Sequence, residues 1–322
     1  MYLKEVMYLV VYVKVLSDIC MIEKMKNIFF VVFIYFLLTC CKKENYPVTY
    51  DEVRTIKISD KITIDNGTIM NDPVFNCNTY EQFLKYLVES DRFLIVPQKD
   101  FDKTTSSDKV ILSIRHDVDD NINAALKFAY RESKYGIKAT YFILHTASYY
   151  GVTKREYFKR NDQIKDYLLT IQNTFDHEVG FHNDLVTLQV CYRISPKIFL
   201  KNELEWLRSN GLIITGTVAH GSPYCHIYHY LNSYFWEGVE KDPSGFFDNW
   251  ETVIKGYETI VLEKDKMSNY GFDYEGYDLK CDYYFADDAF FKGKRWQMGM
   301  INWDTIKPGK KVILLLHPQH WD

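Results

Sequence analysis

From residue 109 to the C-terminus, short apolar runs alternate with helical stretches, and most of the apolar runs stop at an aspartate or a histidine. No other feature constrains the fold as strongly. Residues 110–117, reading VILSIRHD, form a buried strand. Residues 122–135 form a helix, with Ile122, Ala125, Leu126 and Ala129 at helical spacing and Gly136 just past its end. Residues 140–144 are a second strand. Ile164, Leu168, Ile171 and Phe175 mark a second helix, and residues 178–181 a third strand. Ser195-Pro196 opens a third helix as cap and first turn, and Gly211 closes it before a strand over 213–220. Residues 258–262, 282–285 and 311–317 give three more strands. This alternation predicts an α/β fold with parallel strands and outer helices.

In βα barrels the functional groups sit at the C-terminal ends of the strands. Here those ends carry Arg115-His116-Asp117-Val118-Asp119-Asp120, then His145, His182-Asn183-Asp184, His220-Gly221-Ser222-Pro223-Tyr224, Asp287-Asp288 and His317-Pro318-Gln319-His320-Trp321. Barrel closure brings them to one rim. Converging carboxylates and imidazoles suit a divalent metal, with zinc, cobalt, nickel and iron all compatible. A metal acidifies a bound water and polarises a carbonyl. A free carboxylate then serves as general base and an imidazole as general acid.

Each residue also has a plainer reading. Asp119, Asp120 or Asn121 caps the following helix. His116 alternates to the far side of its strand and packs in the core, as His145 does. His177 bonds to a loop. His226, His229 and His320 are surface or loop residues, and Asp287-Asp288 forms a turn. Asp117, His182 and His317 are the strongest functional candidates, because they end strands where a cap or a core contact is poorly placed.

The N-terminal part is of another kind. An apolar run over 28–38 follows Met25-Lys26-Asn27 and ends in Thr39-Cys40-Cys41-Lys42-Lys43. It is shorter than the roughly 20 residues of a membrane span and suits a signal-peptide core. Leu37-Leu38-Thr39-Cys40 resembles a bacterial lipobox, with Cys40, or Cys41 in the alternative register, as the lipid-attachment residue. Residues 1–39 are therefore a signal region, of which 1–24 precede a second possible start. Residues 40–77 are a tether with edge elements, and the barrel covers 78–322. The expectation is an exported protein held by a lipid anchor at the bacterial membrane, periplasmic or on the cell surface. The chain has 7 cysteines and no C-x-x-C spacing, which excludes a zinc ribbon. A net charge of −4 gives no basic stripe, so nucleic acid is not expected as a partner. Aromatic residues make up 16% of the chain, which fits either a Tyr-rich core or a surface that stacks on sugar rings.

Arg115-His116-Asp117-Val118-Asp119, residues 136–142 (GIKATYF), residues 177–182 (HEVGFH), Tyr284-Phe285-Ala286-Asp287 with Trp296, and residues 315–321 (LLHPQHW) occur in this order. Together they resemble the polysaccharide deacetylases of carbohydrate esterase family 4, the NodB-homology fold, in the branch with an Arg-His-Asp-Val-Asp start and a Leu-Leu-His-Pro-x-x-Trp end. The resemblance implies a distorted (β/α)₇ barrel and metal-dependent removal of acetyl groups from a cell-surface or extracellular glycan. It implies Asp117 as base and His317 as acid. It implies Asp119 and His182 as ligands of a divalent ion, zinc above all, with the two aspartates interchangeable. Arg115, Tyr224, Asp287, Trp296 and Trp321 are then substrate-binding. The family's second metal histidine follows the first by four residues, and position 186 is Val. His220 or Asp287 is left to complete the site, with His220 the choice. The alternatives are an inactive glycan-binding lipoprotein on the same barrel, and a metal-free hydrolase using Asp117 and Asp287 as a carboxylate pair.

Overall fold

The computed structural model describes residues 80–239, 262–287 and 301–320. The first helix, α1 (Tyr80–Glu89), buries Tyr80, Phe83, Leu84 and Leu87, spaced as one helical face. After β1 (Phe93–Ile95) and the short α2 (Gln98–Phe101) comes β2 (Val110–Val118), buried at all nine positions. A strand buried on both faces is the signature of a parallel sheet covered by helices. Helix α3 (Ile122–Lys134) starts at Asn121, whose side chain accepts hydrogen bonds from the backbone N–H of Asn123 and Ala124. Asn121 is thus the cap, and Asp119 and Asp120 are not used for it. Gly136 follows in the left-handed region, at φ 69°.

Strand β3 (Thr140–Leu144) leads into a hairpin of β4 (Gly151–Lys154) and β5 (Tyr157–Arg160). The expected helix over 164–175 is α4 (Ile164–Leu169) continued by a π turn, Thr170–Thr174. Strand β6 (Glu178–Asn183) is followed by the single turn α5 (Leu185–Thr187) and by α6 (Pro196–Ser209). Ser195 precedes Pro196 but makes no side-chain cap bond. Strand β7 (Gly216–Ala219) starts later than the expected 213, where Ile213 is 67% exposed. Then come α7 (Pro223–Ile227), β8 (Tyr274–Glu275), β9 (Tyr283–Ala286) and β10 (Lys311–Leu316). The expected strand at 258–262 lies outside the described residues except for Leu262. The residues found beside β7 are Tyr274–Glu275.

The main sheet runs in the order β8-β7-β6-β3-β2-β10-β9, with β1 paired to the first half of β2 and β3 to its second half. Every pairing in it is parallel. All C-terminal strand ends therefore lie along one edge. The sheet is a curled half-barrel, and among the described residues no pairing joins β8 to β9. Curling is also required by the side chains. In a flat sheet β7 and β2, three places apart, are separated by about 14 Å, yet His220 Nε2 after β7 is 4.0 Å from Asp119 Oδ1 after β2. Close strand packing relies on small residues. A Cβ on Gly180 meets the Phe142 ring at 2.3 Å, and one on Gly216 meets the Tyr274 ring at 2.3 Å. Among the described residues, no helix is long and apolar enough to cross a membrane. Cys191, Cys225 and Cys281 are free thiols.

Candidate metal centre

Alternation along β2 sends Arg115 and Asp117 to one face and His116 to the other. His116 lies within 2.7 Å of Glu132 on α3 and stacks on Tyr141. Tyr80 and Tyr141 donate to the same Glu132. His116 is thus a packed residue, as its position indicates. His177 receives the Ala139 N–H at 3.1 Å and lies 2.8 Å from the Ala129 carbonyl. His145 accepts the Asp184 N–H at 2.8 Å and stacks on Phe181. Burial drives its pKa down to about 3, so it is a neutral acceptor.

On the inner face, Arg115 grips Asp117 with two hydrogen bonds, Nε to Oδ1 at 2.8 Å and a terminal nitrogen to Oδ2 at 2.6 Å. Both side chains are essentially buried, and Tyr277 covers the guanidinium with its ring 4.4 Å away. Burial favours the neutral acid, but Arg115 outweighs it and holds Asp117 below the usual carboxylate range. Two residues on, Asp119 points the same way past the strand end. Tyr149 secures this corner by donating to the Val118 carbonyl at 2.5 Å and accepting the Leu144 N–H at 3.0 Å.

Three imidazoles from three other strands face Asp119. His182 on β6 places Nε2 3.3 Å from Asp119 Oδ1 and 3.5 Å from Asp117 Oδ2. His220 after β7 places Nε2 4.0 Å from Asp119 Oδ1. His317 after β10 places Nε2 3.5 Å from Asp119 Oδ2. Two of the rings are hydrogen-bonded at their other nitrogen, and the third faces a carboxylate there. Nδ1 of His182 meets the Val218 carbonyl at 3.1 Å, that of His220 faces Asp184 Oδ2 at 3.5 Å, and that of His317 meets Asp287 Oδ1 at 2.6 Å. An imidazole that donates from Nδ1 carries its lone pair at Nε2, the form a metal requires.

Donor atoms of Asp119, His182 and His220 all lie within 4.8 Å of one another, as do those of Asp287, His317 and His320. The two groups differ in spacing. Neighbouring ligands of a tetrahedral zinc ion, at about 2.0–2.1 Å from the metal, are about 3.4 Å apart. In the first group, Asp119 Oδ1 lies 3.3 Å from His182 Nε2 and 4.0 Å from His220 Nε2. In the second group, Asp287 and His317 are already joined by a 2.6 Å hydrogen bond. Asp119 Oδ1 is shielded from solvent yet makes no hydrogen bond, an orphan acceptor facing two imidazoles. The first group therefore fits a divalent cation, and the second is a hydrogen-bonded carboxylate–imidazole pair.

The electrostatics agree. Burial works against charge on His220, but Asp119 and Asp184 prevail and raise its pKa to about 9. Burial likewise opposes charge on His317, and Asp287 and Asp119 raise it to about 9. Asp184 and Asp287 are buried and Asp119 is half-buried, which favours their neutral forms, but the facing imidazoles hold all three below the ordinary carboxylate range. The pocket attracts positive charge.

Of the other expected site residues, Arg115 is fully buried against Asp117, and Asp287 accepts both the ring and backbone N–H of His317. Tyr224, on α7, has its hydroxyl against Cys191. Trp296, Trp321 and Cys40 lie outside the described residues, as do the whole signal region and tether. Two participants were not singled out from the sequence. Asp184 faces His220. His320, expected as a loop residue, lies 3.3 Å from Asp287 Oδ2. The signal for Asp184 was its place two residues after His182, on the same side of the strand. His320 is presented by a 3₁₀ turn, Pro318–His320, which has no periodicity to read.

No family model matches the sequence, and no curated protein does. Among solved structures, the fold is similar to a family 4 carbohydrate esterase from Bacillus anthracis, at 11% identity and a TM-score of 0.29, covering 76% of this chain and 80% of that one. At that score the likeness carries no functional argument.

Proposed function

We propose that the chain is a metal-dependent hydrolase of the polysaccharide-deacetylase type, removing amide- or ester-linked acetyl groups from a cell-surface or extracellular glycan. The observation that supports this reading is the set of imidazole Nε2 atoms from separate strand ends facing the orphan carboxylate of Asp119. Asp119, His182 and His220 would hold the ion, and two nitrogens with one carboxylate oxygen suit zinc. When bound, it supplies Lewis-acid polarisation of the acetyl carbonyl and a water of lowered pKa. Asp117 is the base: Arg115 keeps it ionised, and its carboxylate adjoins His182. His317 is the acid. Asp287 holds its Nδ1 proton, so Nε2 is free to hand a proton to the departing sugar nitrogen or oxygen. The anchor at Cys40 and export to a bacterial membrane belong to the same proposal, on the lipobox alone.

The alternatives are less well supported. Arg115 holds Asp117 ionised, and His317 and His320 hold Asp287 ionised, so this pair lacks the protonated carboxyl that a glycosidase uses as its acid. An inactive glycan binder was suggested by Val186, but His220 reaches the centre from β7 instead. Metal analysis of the purified protein, with acetate release from an N-acetylated oligosaccharide, tests the proposal. About one zinc per chain is expected, with both signals lost in His182→Ala. A wild-type protein that binds no zinc, or that releases acetate undiminished under chelation, overturns it.

A further inference from the structure

Val186 lies on α5 with its side chain fully buried, so that turn supplies no ligand. His220 supplies its imidazole from the end of β7, and its backbone is fixed on both sides. Its N–H donates to the Asn183 carbonyl at 2.8 Å, and its own carbonyl accepts from Asn232 Nδ2 at 2.7 Å. Asn232 also accepts the Val186 N–H at 2.8 Å, which ties α5 to this corner. Only the side-chain torsions of His220 remain to be set.

Asp184 faces the ring. It is 3% exposed, and its carboxylate is surrounded by donors. Oδ1 accepts from the Thr187 hydroxyl at 2.8 Å and Asn232 Nδ2 at 3.2 Å, and Oδ2 from the Thr146 hydroxyl at 3.2 Å. A carboxylate, which offers acceptors on both oxygens, suits this ring of donors. His220 Nδ1, buried and without a hydrogen bond of its own, lies 3.5 Å from Oδ2. A proton on Nδ1 leaves the lone pair on Nε2, which faces Asp119.

We propose that Asp184 is the positioning residue for His220, fixing the ring orientation and tautomer that make it a zinc ligand in place of an imidazole from position 186. The proposal rests on the metal-centre reading above. Partners of this kind typically change metal affinity 10–100-fold.

The test is zinc affinity by chelator competition for wild type, His220→Ala, Asp184→Asn and Thr146→Val, with circular dichroism to confirm folding. Asp184→Asn is expected to weaken zinc roughly 10–100-fold. Thr146→Val removes a partner of the same carboxylate without touching His220 and is expected to stay within about threefold of wild type. A long-range ¹H–¹⁵N spectrum of the zinc-loaded wild type is expected to show His220 protonated at Nδ1. It decides the matter if Asp184→Asn does not fold. Asp184→Asn binding zinc like wild type while His220→Ala does not, or a His220 protonated at Nε2, overturns the proposal and leaves the metal centre standing. A wild type that binds no zinc overturns both.

Discussion

Asp117 and Asp119 stand two residues apart on one strand, and their neighbours separate their roles. Asp117 is neutralised by a buried guanidinium, whereas Asp119 has none and faces imidazoles. Asp117→Asn is therefore expected to keep its zinc and lose roughly 10²–10⁴-fold in acetate release, whereas Asp119→Asn is expected to lose the zinc itself. Both are read by metal content beside turnover. Arg115→Ala strands a buried carboxylate and is expected to cost about 3–5 kcal/mol in urea unfolding. Glu275 gives a pH prediction away from the centre. It is 1% exposed, and burial raises its pKa to about 7, against the N–H groups of Ala219 and Tyr277 that favour its charge. The folded state then keeps a proton that the unfolded chain releases near its ordinary value of 4.5. Its contribution is full below that pH, declines as pH rises to about 7, and is level above. Glu275→Gln cannot ionise, so its melting temperature is expected to gain on wild type between pH 5 and pH 7.5.

At the scale of elements, glycine and caps set what the strands can tolerate. Gly180 on β6 has the Phe142 ring where a side chain would go. Gly180→Ala is expected to cost about 1–3 kcal/mol by overpacking, measured by denaturant midpoint. The elements legible in the sequence were those with long apolar runs or clear punctuation, such as β2, β3, β6 and β10, and α3 ahead of Gly136. Tyr274–Glu275 has two residues and no pattern to read, and it is a strand only because β7 offers it an edge. The β4–β5 hairpin alternates half-buried and exposed residues along polar sequence, with little apolar signal. The π turn after Leu169 preserves the apolar spacing of a helix while changing its hydrogen bonding, so periodicity alone cannot detect it.

For the molecule as a whole, zinc is expected to act as a staple across β2, β6 and β7. At 100 times its dissociation constant a ligand adds about 2.7 kcal/mol, and for a domain of this size that raises the melting temperature by about 5–10 °C. Chelation is expected to reverse the rise, as scanning fluorimetry can show. Much of the site could be read from the sequence because parallel strands deliver their ends to one edge, so a list of strand ends is already a list of neighbours. What could not be read was partner choice: which aspartate meets the arginine, and which carboxylate faces which ring. Those depend on curl and side-chain torsion, not on order along the chain. The order of the strands also sets a timetable. β10 lies between β2 and β9, so residues 311–316 pair with 111–116 across some two hundred positions. A chain emerging from the ribosome makes β2 early and must wait some two hundred residues more before that pairing can form. Until then the flank of β2 destined for β10 lacks its partner, so slow folding and reliance on protection from aggregation are built into this topology.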